Sequence, residues 1–226
     1  MNDNCSASAK VLHLIDTTGP GGAETVFIEI ADRMRNKSYQ SLPVIHGDGW
    51  VQQELTKRNL NPVIIPAKGS FNLRFLLSLV KLVRQHKIKL IHSHLLGSNV
   101  YAAIVGLMTG VPVIATYHGL VDIDPQERFQ WLKRTAMKQG ISHYVAVSKS
   151  LFKNVQSQHL LEKEKTSVVY NGIDLQDYAK SSGDAALRTE LNIDDNAILI
   201  GSLGNVRKAK GYEYLIRAAA VVVKQL

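Results

Sequence analysis

Five short segments concentrate the residue types that could do chemistry. Gly19-Pro20-Gly21-Gly22-Ala23-Glu24 lies between a predicted strand and a predicted helix. Glycines there let a backbone come close to a ligand, and the unpaired N–H groups of a helix start attract an anion. A dinucleotide fingerprint needs glycine where this chain has Glu24, and a P-loop needs a Gly-Lys-Ser/Thr that does not follow. Two readings stay open: an anion-binding turn, or a tight strand-to-helix connection in which Glu24 favours the helix dipole.

Two further segments carry imidazoles at the carboxyl ends of predicted strands, where open α/β sheets bind ligands. In Ile91-His92-Ser93-His94 the two histidines are expected on opposite faces of the strand, which argues against a shared metal. His92 then reads as a packed or hydrogen-bonded residue, and His94, nearer the loop, as a site residue. In Thr116-Tyr117-His118-Gly119 the imidazole is expected to face the crevice while Gly119 lets the chain turn away. A neutral imidazole donates one hydrogen bond and accepts another, which suits sugar hydroxyls or a carbonyl; a packed core histidine is the alternative. Asp122-Ile123-Asp124 just beyond reads as a solvated acidic loop rather than a metal site.

The last two segments follow later strands. Val145-Ala146-Val147-Ser148-Lys149-Ser150 runs from strand to helix with Ser148 as N-cap, and capping accounts for it. Between Gly201 and Gly211 stand Arg207, Lys208 and Lys210. A basic loop bounded by glycines could clamp phosphates or be a solvated charge run.

The elements that must position these residues alternate in kind. Short β-branched runs are read as strands at 11–16, 41–45, 62–65, 90–93, 113–116, 143–147 and 167–170. Between them, 23–34 places Val26, Phe27, Ile30, Ala31 and Met34 on one helical face, and 73–83 does so with Leu76, Leu77, Val80 and Val83. Strands alternating with amphipathic helices predict an α/β fold, a Rossmann-like parallel sheet flanked by helices. Asn171-Gly172 and the polar segment through Ser181-Ser182-Gly183 read as a connector. Beyond it, 197–203 is expected to be a strand and 212–226 a helix, one β-loop-α element that cannot cover its own apolar faces. The expected organisation is a polar leader over 1–9, a first domain over 10–180, and over 181–226 the connector and first β-α unit of a second domain.

Among 226 residues, 45% hydrophobic and 20% charged, no apolar run approaches the length of a membrane span, and residues 1–10 lack a signal-peptide core. A cytoplasmic protein is expected. The single Cys5 excludes a disulfide framework. A net charge of +8 favours anionic partners. Nucleic acid is not among those expected, since no finger, RNP-like strand or helix-turn-helix appears. The aromatic and basic segment 125–139, with Phe129, Trp131, Leu132, Lys133, Arg134 and Lys138, reads either as a packed helix with a solvated basic face or as a membrane-surface helix.

The order of the motifs is more specific than any one of them. Gly-Gly-Ala-Glu, His-Ser-His, Thr-Tyr-His-Gly, Val-Ser-Lys-Ser, Tyr170-Asn171-Gly172-Ile173-Asp174 and Lys210-Gly211-Tyr212 with Leu215-Ile216-Arg217-Ala218 together resemble glycosyltransferase family 4. The resemblance runs from about Lys10 onward. It implies the N-terminal half of a GT-B enzyme, two Rossmann-like domains facing across a cleft, that transfers sugar with retention and without a metal or other cofactor. The implied partners are a nucleotide-sugar donor and a saccharide or lipid-linked acceptor, at the inner face of an anionic membrane. Carried over by position, Gly21 and Gly22 match the loop on the donor diphosphate, His118 the histidine that contacts the transferring sugar, and Lys210 the lysine on the diphosphate. His94 is assigned a sugar or acceptor contact. The family's arginine usually follows the glycine at a strand end, where this chain has Ser202, so the second positive charge falls to Arg207. The paired glutamates and base-binding strand of the family are not within these 226 residues. The chain is therefore expected to be inactive alone and either to self-associate through 197–226 or to leave that segment mobile. The alternatives are a sugar-nucleotide epimerase and a non-catalytic binding or regulatory remnant of the same fold.

Overall fold

The computed structural model describes residues 8–35, 39–67, 71–119, 130–157, 162–176, 184–194, 196–204, 206 and 208–225. Its chain divides into two compact units, Met1–Gly172 and Ile173–Leu226. In the first, strands β1 (Ala9–Ile15), β2 (Tyr39–Ile45), β3 (Val63–Ile64), β4 (Leu90–His94), β5 (Val113–Tyr117), β6 (His143–Ala146) and β7 (Thr166–Val168) alternate with helices. These are α1 (Gly22–Arg35), α2 (Trp50–Lys57), α3 (Leu73–Gln85), α4 (Leu96–Thr109), α5 (Gln130–Gly140) and α6 (Lys149–Ser157). All strand pairs are parallel, in the order β3-β2-β1-β4-β5-β6-β7. The sheet is the Rossmann-like α/β layer read from the alternation of strand and helix runs.

Helices cover both faces, and the alternation of side chains along β1 and β2 shows which covers what. Ile15 and Ile45 pack with Phe27, Ile28 and Ala31 of α1 and Val51 and Leu55 of α2. Their neighbours Leu14 and Val44 point to the other face, into the larger core that α3, α4, α5 and α6 complete. Right-handed crossovers give this division: connections that step one way along the sheet place helices on one face, and those that step back place them on the other.

The helix stripes differ in detail from the periodicity reading. On α1 the buried line is Phe27, Ile28 and Ala31, with Val26, Ile30 and Met34 only half-buried at its margins. On α3 the buried set is Phe75, Leu76, Leu79, Val80 and Val83, while Leu77, expected inside, is 52% exposed. At 100° per residue Leu77 falls outside the arc those five define. Asn72 caps α3, its side chain accepting from Phe75 N–H at 3.0 Å.

Helices α4 and α5 meet through glycines. A Cβ at Gly140 would collide with the Ala103 backbone, lying 2.8 Å from its Cα, and one at Gly106 would stand 3.2 Å from the Gly140 carbonyl oxygen. This close approach seats α5 and so sets where β6 enters the sheet.

In the second unit the described elements are α7 (Asp184–Glu190), a 3-10 turn (Lys208–Lys210) and α8 (Tyr212–Val223). The strand expected over 197–203 is not formed. A strand exists by pairing, and among the described residues of this unit no other strand is present to pair with it. Gly211, ahead of α8, has φ +66°, a conformation that glycine adopts without strain.

The glycine contact generates a stability prediction. Gly140→Ala should cost about 1–3 kcal/mol through overpacking against backbone that cannot rotate away, read as a lower urea midpoint with an unchanged slope. Gly172→Ala, where a Cβ meets nothing within 4 Å, is the control.

Candidate active site at the sheet's switch point

Strand order reverses between β1 and β4, and the loops leaving their carboxyl ends diverge there to open a crevice. Asp16, just past β1, reaches across: its Oδ2 accepts Ser98 N–H at 3.2 Å at the start of α4. The carboxylate occupies the space that a Cβ on Gly97 would need. A carboxylate at a helix N-terminus is favoured by the local dipole, so Asp16 ties the two loops together while stabilising α4. The intervening Leu95 has φ 71° and ψ 157°, a conformation rare for a residue with a Cβ. That strain sits immediately after His94.

The glycine loop lies beside this clasp. Gly21 and Gly22 are at the N-terminus of α1, where the Gly21 carbonyl accepts from Thr25 N–H at 3.0 Å and Thr25 Oγ1 at 2.9 Å. The Glu24 carboxylate folds back over Gly21, into the position of a would-be Cβ, whereas Gly22 has nothing within 4 Å of one. Neither glycine adopts a positive φ.

The imidazoles form a continuous layer, contrary to the expectation for His92 and His94. Residues two apart on a strand share a face, and the two ring centroids are 4.4 Å apart. The parallel register sets His13 beside His92, at 5.8 Å, and His94 meets His118 at 5.1 Å. His92 Nε2 is 2.8 Å from Thr116 Oγ1 and His94 Nδ1 is 2.9 Å from His118 Nε2. Although the rings adjoin, no group of three or more His, Cys, Asp or Glu side chains among the described residues could hold a metal ion. His13 was not singled out from the sequence; its parallel partnership with His92 emerges only from the register.

Burial keeps the layer neutral. It pushes His13 down to about 3, with the nearby His92 adding to the effect, and His92 down to about 4. His94, fully buried, is held well below its usual value by burial and by the neighbouring rings. Burial also lowers His118 to about 4, against the opposing pull of Glu24. The Glu24 carboxylate is thus close enough to act on His118, which joins the glycine loop and the histidine pair in one crevice. Between His94 and His118 one ring must donate and the other accept. The bond couples the two tautomers: if His94 Nδ1 donates, His118 carries its proton on Nδ1, and if His118 Nε2 donates, His94 carries its proton on Nε2.

The other predicted positions fall differently. Ser148 caps α6 as expected, its Oγ accepting from Leu151 N–H at 3.1 Å. Lys210 closes the 3-10 turn before Gly211 and α8 and belongs to the second unit. Arg207, Asp122, Asp124 and Cys5 lie outside the described residues, as do 125–129 of the basic aromatic segment. The rest of that segment is in α5, with Trp131 71% exposed.

A neutral histidine layer makes stability depend on pH in a definite direction. Folded values below the ordinary 6.5 mean that between about pH 6.5 and 4 the unfolded chain binds protons that the fold excludes. Stability should therefore be complete above this window and fall as pH drops through it, by about 1.4 kcal/mol per pH unit for each ring involved. Urea midpoints from pH 7 to pH 5 measure the slope. His13→Leu, replacing a ring whose nitrogens find no partner among the described residues, should flatten the slope without loss of stability at pH 7; an unaltered slope would remove His13 from the explanation.

Residues 20–177 match the profile of Glycosyltransferase Family 4. Alpha-maltose-1-phosphate synthase of Mycolicibacterium smegmatis is 28% identical over 141 residues, covering 57% of this chain and 36% of that protein. The UDP-Gal:alpha-D-GlcNAc-diphosphoundecaprenol alpha-1,3-galactosyltransferase of Escherichia coli is 23% identical over 166 residues, covering 68% of this chain and 41% of that protein. The chain thus spans less than half the length of these curated relatives. Among solved structures, Anabaena Alr3699/HepE in complex with UDP-glucose superposes with a TM-score of 0.67 at 24% identity, over 81% of this chain and half of that one. This likeness shows the fold, and the family match covers the glycine loop, both crevice histidines and the strands that carry them. The chain belongs to Glycosyltransferase Family 4.

Proposed function

We propose that this chain supplies the acceptor-side domain of a glycosyltransferase that moves a sugar from a nucleotide-sugar donor to a saccharide or lipid-linked acceptor with retention. The observation that carries the reading is the crevice in which an open glycine turn at a helix N-terminus adjoins a neutral histidine pair. Similar proteins support it: the Anabaena structure holds UDP-glucose, and the Escherichia coli relative is a galactosyltransferase on a diphosphoundecaprenol-linked sugar.

In this reading the departing diphosphate and the positive charge that develops on the sugar are what need stabilising. Gly21 and Gly22 let the phosphates approach the N–H groups of α1; Lys210 and Arg207 keep the diphosphate role that the family resemblance gives them, with no metal invoked. The Glu24 carboxylate lies over Gly21, so a diphosphate there requires that it swing aside. His118, neutral near pH 7, positions the sugar rather than acting as a base, and His94 fixes its tautomer from behind. A location at the inner face of a membrane, and self-association through 197–226, where Ile198, Leu203, Val206 and Tyr214 are exposed, complete the reading.

Two substitutions test it, in the enzyme with its donor domain. His118→Ala should lower transfer by about two orders of magnitude or more while the thermal melt is kept; near-normal turnover would take His118 out of the site. Gly22→Val meets no atom of the fold at its Cβ and needs no unusual φ. It should weaken donor binding, measured by calorimetry with nucleoside diphosphates, by roughly ten-fold or more; unchanged affinity would refute the phosphate role.

A further inference from the structure

Behind the imidazole layer, toward the opposite face of the sheet, lies a buried polar cluster that the crevice chemistry does not use. Ser93 alternates with His92 and His94 along β4 and so points toward α4, where it meets Asn99; both side chains are fully buried. Ser93 Oγ donates to Asn99 Oδ1 at 2.7 Å, and Asn99 Nδ2 donates to the Thr116 carbonyl at 3.5 Å. A carbonyl only accepts, so the amide nitrogen must face Thr116 and the amide oxygen Ser93. One side chain thus touches the residue before His94 in β4 and, in β5, a residue two positions ahead of His118.

The same asparagine holds the turn that follows His94. Its N–H donates to the Leu95 carbonyl at 2.9 Å, and Leu95 N–H donates to the Thr116 carbonyl at 3.4 Å. Leu95 has φ 71°, and a residue with a Cβ keeps such a conformation only where its surroundings over-determine it. From β1, the Asp16 carboxylate adds a further tie through Ser98 N–H at 3.2 Å. An apolar side chain would cover this part of the sheet without the cost of burying an amide. What the amide adds is direction, since a satisfied polar pair fixes one arrangement where apolar packing admits several.

We propose that Asn99, together with Asp16, is a positioning residue for the histidine pair. By tying β4, β5 and the start of α4 together around the strained Leu95, the two side chains set where His94 meets His118, and hence how His118 is aimed at a bound sugar. The last step rests on the sugar-transfer reading of His118; the placement of the two rings does not.

Two measurements separate these steps. In NMR spectra of the imidazole ring nitrogens, recorded on the chain, Asn99→Ala and Asp16→Ala should each shift His94 and His118. His143 of β6, whose Nε2 is 2.7 Å from Ser167 Oγ and which stands outside the layer, should stay in place. Asp16→Asn, which keeps an oxygen for Ser98 N–H, should resemble the parent. In the enzyme with its donor domain, both alanine variants should lower kcat by about ten- to a hundred-fold with the donor KM little changed. Asp16→Asn should retain most of the activity, and neither alanine change should add more than about two-fold to the loss in His118→Ala. Asp16 is only partly buried, so its two variants decide the matter if Asn99→Ala does not fold. Unmoved His94 and His118 resonances overturn the proposal, as does an undiminished loss of kcat when the alanine changes are made in the His118→Ala background. Near-normal transfer by His118→Ala alone would instead end the sugar-transfer reading, and the ring spectra would then judge the placement by themselves.

Discussion

The reversal of strand order between β1 and β4 is the constraint from which the rest of the first unit follows. Parallel pairing aligns all seven carboxyl ends along one edge, and right-handed crossovers send α1 and α2 to one face and the later helices to the other. The loops after β1 and β4 must then part company, and the gap cannot be filled by either. Asp16 bridges it with its carboxylate on the start of α4. A glycine turn and two imidazoles arrive near one another because they follow or end β1, β4 and the adjoining β5.

Electrostatics then decides what the gap can do. With His13, His92, His94 and His118 all kept uncharged by burial, the crevice wall offers directed hydrogen bonds rather than fixed charge. The charged groups described there are carboxylates: Asp16, held on the start of α4, and Glu24, over Gly21. In the proposed reading such a wall selects among neutral hydroxyl-bearing ligands by geometry and leaves the neutralisation of phosphate to helix N–H groups and to cations.

Much of this was legible in the residues. Strands buried on both faces are short β-branched runs, which is why 11–16, 113–116 and 143–147 could be placed to within two residues of β1, β5 and β6. The glycine turn and His118 were candidates because glycines admit a close ligand and an imidazole at a strand end can face a crevice, though each had a structural alternative. What escaped was pairing across the sheet. His13 looks like an ordinary strand residue until the register sets it against His92, and Asp16 like an ordinary turn residue until Ser98, far along the chain, is brought to it. The misplacement of His92 and His94 on opposite faces was an error of period. The strand expected over 197–203 failed for another reason: apolar character marks a segment fit for a sheet, but the partner strands decide whether one forms.

The hydrogen bond between His94 and His118 has a consequence for how such a chain can change over time. His94 is wholly buried, yet its tautomer decides whether His118 presents a proton or a lone pair on its remaining nitrogen. A replacement at 94 that reversed the direction of that bond would invert the choice from a wholly buried position. Lineages should therefore drift at 94 and 118 together, and a change in what His118 presents can be inherited through a residue hidden from solvent.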